Sequence, residues 1–159
     1  MADDTAQLST REYASEDRAA CLTLFNSNVP EYFAAAERDQ YASFLQALPC
    51  RYLVISSPAV GIVAAGGYYV TENPEIGALA WGLVARAWHG RGVGTRLLEM
   101  RLTHLRERGV KIARIRTSPH SRGFFERAGF RLLQVGAQES IPDDLVELRL
   151  ALHAVLFRE

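Results

Sequence analysis

Lysine is almost missing from this chain of 159 residues, in which Lys111 is the single lysine among 18 basic residues. The acidic residues also number 18, so the formal net charge is zero. A chain without an excess of either sign gives no electrostatic reason to expect binding to nucleic acid or to a charged membrane surface. We therefore expect neither as a partner.

Cysteine is also scarce, and the two residues present, Cys21 and Cys50, match no metal-binding or redox spacing. This predicts free thiols in a reducing compartment and no metal site. Met1 is followed by Asp3 and Asp4 rather than by a basic and then an apolar segment, so we expect no signal peptide. The predicted location is the cytoplasm.

Charge is absent from Tyr52 to Thr71, a run of 20 residues that has the length of a membrane span. Serine, proline and glycine interrupt it, and most of its other residues are β-branched or aromatic. Two strands joined at Ser56–Val60 explain the run better than a span does. The chain length suits a single domain covering residues 1–159.

The hydrophobic pattern predicts the element order β-α-α-β-β-β-α-β-α-β-β, a mixed α/β (α+β) sheet with helices on its faces. The predicted strands are Thr5–Glu12, Arg51–Ile55, Val60–Thr71, Ile76–Val84, Lys111–Thr117, Phe130–Val135 and Leu145–Leu152. The predicted helices are one capped by Ser15, one from about Glu37 to Leu48, one from the glycines at 90–94 to about Arg108, and Ser118–Ala128.

A glycine cluster joins the strand Ile76–Val84 to an amphipathic helix. Its sequence is His89-Gly90-Arg91-Gly92-Val93-Gly94-Thr95. Glycines let a backbone approach a ligand closely, and the first amides of a helix have no internal partner, so the segment suits a phosphate or diphosphate. Arg91 and Arg96 are placed to add charged hydrogen bonds. A tight turn without a ligand is the alternative.

Two common phosphate-binding motifs do not fit this cluster. A Walker A loop requires Gly-Lys before Ser or Thr, and the only lysine lies downstream at Lys111. A Rossmann fingerprint counted from Gly90 requires glycine where Thr95 stands. An unrelated α/β phosphate-binding module nevertheless remains one functional hypothesis.

A second segment, Ser118 to Phe130, combines an N-cap serine, a proline at the first helical position and a helix-ending glycine at Gly129. Together with Val84–Gly94, it resembles the GNAT superfamily of acyl-CoA-dependent N-acetyltransferases. The cluster resembles that family's strand-to-helix signature, and the later segment resembles its helix ending in an aromatic residue, an acidic residue and Gly-Phe. The predicted element order is similar to the family's along nearly the whole chain.

The resemblance implies an acetyl-CoA co-substrate lying in a gap between the fourth and fifth strands. Leu83 and Val84 would offer backbone groups to the pantetheine arm and the thioester oxygen. The amides of His89, Gly90, Arg91, Gly92, Val93, Gly94 and Thr95 would hold the diphosphate. Ser118, Phe124 and Arg127 would also contact the coenzyme.

Two positions depart from the family pattern. His89 stands in place of the usual Gln or Arg, and Phe125 in place of the Tyr whose hydroxyl is the usual acid for the departing thiolate. His120 is our first candidate to replace that acid because histidine is the residue type that ordinarily changes protonation state near neutral pH, and Ser118 is another. Glu75 and Glu72 are the candidate bases that would deprotonate the amine.

The resemblance also places an acceptor site near Glu31, Tyr32 and Phe33, with Tyr69 on the third strand as a further candidate. The acceptor is expected to be an amine of a small molecule or a peptide, and the sequence does not distinguish among them. Direct acetyl transfer is the first functional hypothesis. A non-catalytic acyl-CoA-binding or regulatory domain of the same fold is the alternative that Phe125 supports. A homodimer is compatible with the sequence.

Overall fold

The computed structural model describes residues 7–133 and 145–152. Within these ranges the chain forms a mixed α/β fold of seven strands and four helices, in the predicted order. The strands are β1 (Ser9–Glu12), β2 (Arg51–Ser57), β3 (Gly61–Val70), β4 (Ile76–Val84), β5 (Ile112–Thr117), β6 (Arg131–Leu132) and β7 (Val146–Ala151). The helices are α1 (Arg18–Ser27), α2 (Arg38–Ala47), α3 (Val93–Glu107) and α4 (Pro119–Arg127). The strand order is β1-β2-β3-β4-β5-β7-β6, with β4 parallel to β5.

Most boundaries differ from the predictions by a few residues, and β4 is as predicted. The N-cap prediction at Ser15 is wrong because a 3₁₀ turn, Ser15–Asp17, precedes α1. The Asp17 carboxylate accepts a hydrogen bond from the Ala14 amide at 2.8 Å, and so satisfies a free N–H at the start of that turn. Parts of two predicted strands, at residues 5–6 and 134–135, lie outside the described residues.

The chain divides into two compact units. The first comprises Met1–Tyr68 and Ala80–Arg101, and the second comprises Tyr69–Leu79 and Leu102–Glu159. The single-domain assignment stays a prediction.

The core of the first unit contains two apolar clusters. One packs α1 and α2 against β2, with Phe25, Tyr41 and Tyr52 almost completely buried. The other packs Val93 and Leu97 of α3, spaced four residues apart on one helix face, against β2 and β3. These contacts anchor the first turns of α3, which follow the glycine cluster, against β2 and β3.

The second unit packs α4 near β5 and β7. Gly129, with φ of 103°, ends α4, and the Phe130 amide donates to the Phe125 carbonyl oxygen at 3.0 Å. The ring centroids of Phe125 and Phe130 then lie 5.5 Å apart. Burial raises the pKa of Glu147, but hydrogen bonds from two arginines of β5 and β7 outweigh that effect and leave its pKa below the ordinary value.

No helix in the described part of the chain is long and apolar enough to cross a membrane. The cytoplasmic location stays a prediction.

Candidate functional site

The glycine cluster forms an open turn before α3. Gly90 and Gly92 have φ of 76° and 80°, a region that residues with a Cβ atom rarely adopt. Apart from the glycine itself and its two chain neighbours, no atom of the described residues lies within 4 Å of the position that a Cβ atom would occupy at Gly90 or Gly92. The turn therefore has bare backbone that a ligand can approach closely.

The His89 amide donates to Arg86 O at 3.2 Å and is therefore not free for the predicted diphosphate contact. The amides from Gly90 to Thr95 have no backbone acceptor in the described chain, and Arg96 N–H then donates to Gly92 O at 3.0 Å. This is the arrangement expected at a helix N-terminus, where partial positive charge accumulates. The predicted arginine contacts are directed elsewhere in this structure. The Arg91 guanidinium lies 4.6 Å from the Trp88 ring centroid, and Arg96 Nη2 donates to Leu8 O at 3.0 Å. The groups of the turn that remain available to an anion in this structure are therefore its backbone amides.

The Val84 carbonyl oxygen, at the end of β4, accepts hydrogen bonds from two side chains. Asn28 Nδ2 and His89 Nε2 each lie 2.9 Å from it. Since a carbonyl oxygen only accepts, His89 carries a proton on Nε2, and its ring rests edge-on against Tyr32. Both lone pairs of the Val84 carbonyl are therefore used within the protein, so this oxygen is not free to accept a hydrogen bond from the pantetheine arm.

Strand β4 is irregular at Trp81, whose φ is 45°. This left-handed conformation is strained for a residue with a large side chain. The Trp81 side chain stacks with Phe33 at 5.9 Å and lies 5.0 Å from Tyr41, while Leu83 is buried. The irregularity changes the direction of the strand's backbone groups just before the glycine turn.

Three candidate acceptor residues lie in the first unit between α1 and α2. Glu31 Oε1 pairs with Arg86 Nη2 at 2.7 Å, and the Arg86 guanidinium lies 5.5 Å from the centroid of the Tyr32 ring. Phe33 packs between Phe25 and the strained Trp81 of β4. These contacts bring the segment beside the second half of β4.

The candidate base residues and Tyr69 lie in the second unit. Glu75 precedes β4, and its Oε2 pairs with Lys111 Nζ at 3.0 Å, with both side chains exposed. Glu72 lies in the exposed turn between β3 and β4. Tyr69 is partly exposed, and its hydroxyl accepts from Arg114 Nη2 at 3.3 Å. Their catalytic and acceptor roles stay predictions.

Helix α4 carries the other candidates. Ser118 occupies the N-cap position, but its hydroxyl makes no capping hydrogen bond. His120 and Arg127 are exposed, and Phe124 is partly buried with its ring 5.0 Å from that of Phe125. Their proposed roles toward coenzyme and thiolate stay predictions.

The cysteines are poor nucleophiles in this structure. Burial raises the pKa of Cys21 to about 11 and also raises the pKa of Cys50. Both thiols are therefore protonated at neutral pH. Within residues 7–133 and 145–152, no three His, Cys, Asp or Glu side chains are grouped as a metal site would require.

The sequence of this chain matches a known protein family. The sequence model of the Acetyltransferase (GNAT) family matches residues 19–130, which include most of α1, the glycine turn and all of α4. The chain belongs to the GNAT acetyltransferase family. The resemblance and the fold predicted from the sequence are confirmed. Membership implies acyl-CoA-dependent acyltransferase activity, and acetyl-CoA is the co-substrate of the family.

Solved GNAT structures share the fold at low sequence identity. A GNAT acetyltransferase from Staphylococcus aureus Mu50 has a TM-score of 0.78 and 16% identity, over 92% of this chain and 99% of that one. A Salmonella typhimurium protein solved with acetyl-CoA has a TM-score of 0.65 and 17% identity, over 96% and 98%. N-acetylglutamate synthase from Neisseria gonorrhoeae, solved with coenzyme A and N-acetyl-glutamate, has a TM-score of 0.68 and 14% identity, over 92% of this chain and 35% of that chain. No curated protein matches the chain significantly.

Sequence reasoning missed three residues that shape the first unit. The sequence pattern assigns Asn28 no contact, but its side chain donates to the Val84 carbonyl oxygen of β4. Tyr52 was interpreted as a strand residue only, yet its hydroxyl donates to Trp81 O. Arg101 lies four residues after Leu97 on the buried face of α3, and this spacing was the available signal.

Proposed function

We propose that this protein is an N-acetyltransferase that moves an acetyl group from acetyl-CoA directly to an amine of a small molecule or peptide. The glycine turn between β4 and α3 carries the proposal. Its amides from Gly90 to Thr95 have no backbone acceptor in the described chain, and its glycines leave space for a diphosphate.

The turn would hold the diphosphate through peptide N–H groups rather than through arginine side chains. Arg91 and Arg96 already contact Trp88 and Leu8, so the positive end of α3 and the exposed amides supply the attraction. In the family the thioester lies along the fourth strand, and the proposal therefore assigns an amide of β4 near Leu83 to the oxyanion formed when the amine attacks.

Direct transfer is favoured over a covalent acyl-enzyme. A cysteine nucleophile requires a thiolate, and burial keeps the Cys21 thiol protonated with a pKa of about 11. The attacking amine must be neutral, so a base such as Glu72 or Glu75, or solvent, would remove its proton.

A second candidate, a non-catalytic acyl-CoA-binding domain, is favoured by one observation. Phe125 occupies the position where the family often has the acidic Tyr hydroxyl, and its ring is buried against Phe130. Phenylalanine donates no proton, and loss of a positioned acid lowers the rate by roughly 10²–10⁴-fold. Family membership removes the remaining alternative, an unrelated phosphate-binding module.

Calorimetry with acetyl-CoA, followed by release of free CoA thiol across a panel of amines, tests both candidates. We expect heat of association and amine-dependent thiol release. Binding without release by any amine would favour the non-catalytic domain, and no heat of association would contradict both.

A further inference from the structure

Arg101 is a buried positive charge for which the described residues provide no charged partner. The residue is 2% exposed, and no group in the described part of the chain accepts a hydrogen bond from its Nε. Its described hydrogen bond runs from Nη1 to Gly67 O at 3.3 Å, and no ion pair joins it to a carboxylate in the described chain. Burying an unpaired charge lowers the stability of the fold. A role other than stabilising the fold would explain why the arginine stands at this position.

Two glycines make room for its guanidinium. A Cβ atom at Gly66 of β3 would lie 3.1 Å from Arg101 Cζ, and one at Gly82 of β4 would lie 3.0 Å from Nη2. A Cβ atom at either position would require the guanidinium to shift by a few tenths of an ångström. Gly82 itself is exposed, so the charge lies directly beneath an accessible glycine of β4.

The guanidinium remains charged in this position. Burial lowers the pKa of Arg101 to about 10, which is still well above neutral pH. The nearest titratable groups are neutral there, because burial raises the pKa of both Tyr52 and Cys50. A low-dielectric site with no counter-ion is where a single charge acts most strongly on a neighbouring negative charge.

We propose that Arg101 stabilises the negative charge that forms on the coenzyme's sulfur during acetyl transfer. The inference rests on the proposed function, which places the thioester along β4 near Gly82 and Leu83. The amine nitrogen forms the new C–N bond, the C–S bond breaks, and sulfur keeps the electron pair as a thiolate. The amine's proton goes to a base or to solvent.

This role explains how the reaction proceeds with Phe125 in place of a hydroxyl donor. A thiolate that is stabilised electrostatically leaves without receiving a proton in the same step. Arg101 would be preorganised for this, because its buried side chain lies close to Gly66 and Gly82 and donates to Gly67 O before the charge develops.

The direct test measures the pKa of the thiol of unacetylated CoA in its complex with the protein. The ultraviolet absorbance of the thiolate reports the titration. An ordinary thiol has a pKa of roughly 8.5. We expect a lower value for CoA bound to the parent protein, a return toward the ordinary value in Arg101→Met, and a lowered value again in Arg101→Lys. Arg106→Met, on the same helix, is the matched control and should behave as the parent does.

The stability readout separates this role from a structural one. Arg101→Met should raise the thermal midpoint, because it replaces an unpaired buried charge with an apolar side chain, yet lower turnover by roughly 10²-fold. A lower midpoint together with lost CoA binding would assign Arg101 a structural role and overturn the inference.

Two results on the parent protein also decide the matter. If the thiol of bound CoA has the same pKa as that of CoA in solution, the inference is overturned, whether or not any variant folds. If CoA does not bind at all, the proposed function fails first.

Discussion

Tyr52 Oη donates a hydrogen bond of 2.7 Å to the carbonyl oxygen of Trp81, the residue at which β4 takes a left-handed conformation. Tyr41 Oη lies 2.8 Å from Tyr52 Oη and must donate to it, because the Tyr52 proton is already used. Two buried tyrosines of α2 and β2 thus hold the irregular point of the strand on which the thioester is proposed to lie.

Tyr52→Phe should lower the free energy of unfolding by about 1–3 kcal/mol, because it removes the donor to the Trp81 carbonyl and the acceptor of the buried Tyr41 hydroxyl. Denaturant unfolding measures the change. Tyr69→Phe is the control, and it should change stability by less than about 0.5 kcal/mol because that side chain is partly exposed. Equal losses in the two variants would show that the Tyr52 hydrogen bond contributes nothing.

Gly92→Ala should weaken acetyl-CoA binding by about tenfold, since a methyl group at φ of 80° strains the turn and crowds the exposed amides. Gly61→Ala is a matched control in the first unit, with φ of 83° and the same open surroundings. Both variants should lose about 1–2 kcal/mol of stability. Calorimetry that finds the same affinity in both would argue against the turn as the diphosphate site.

Asp17→Asn should destabilise the protein by about 1–2 kcal/mol at pH 7, because hydrogen bonds from Arg11 hold the Asp17 carboxylate in its charged form. These bonds, and that from Ala14, lower the pKa of Asp17 below its ordinary value of 3.8. Its contribution is therefore present above about pH 4 and is lost as the pH falls through the folded-state value.

The cost of Asp17→Asn should accordingly shrink in denaturant titrations below pH 4. Glu12→Gln, which breaks the exposed pair between Glu12 and Arg51, should have little effect at any pH. A cost for Asp17→Asn that does not change with pH would contradict the electrostatic explanation.

Phe125→Tyr tests whether proton delivery limits the reaction. A positioned acid supplies about 10²–10⁴-fold, and we expect a gain well below that range because Arg101 already stabilises the thiolate. Phe130→Tyr adds a hydroxyl to the same ring pair and is the control for effects on stability. If steady-state turnover rises by about 10²–10⁴-fold in Phe125→Tyr and not in Phe130→Tyr, the reaction of the parent protein is limited by the lack of an acid.

Cys21→Ala should retain turnover, because a thiol with a pKa of about 11 is almost entirely protonated at pH 8. In the folded protein, iodoacetamide should modify Cys50 before the fully buried Cys21. Trapping of an acetyl group on either sulfur would contradict direct transfer.

The sequence by itself determined the features that depend on neighbouring residues. The element order, the glycine turn before α3 and the Gly129 end of α4 were predicted, since periodicity and backbone conformation are local properties. The prediction that Ser15 caps the first α-helix was wrong for a related reason. The sequence of a 3₁₀ turn closed by Asp17 is nearly indistinguishable from that of a helix start.

Tertiary structure alone decided the rest. Asn28 reaching the Val84 carbonyl, Tyr52 holding Trp81 and Arg101 lying beneath Gly82 each join residues far apart in the chain. No periodicity encodes such contacts, because each exists only once the helices pack onto the strands and bring distant polar groups out of water. A polar group that is removed from water needs a hydrogen-bond partner or a functional reason for its burial. Only the folded chain determines which of these it has.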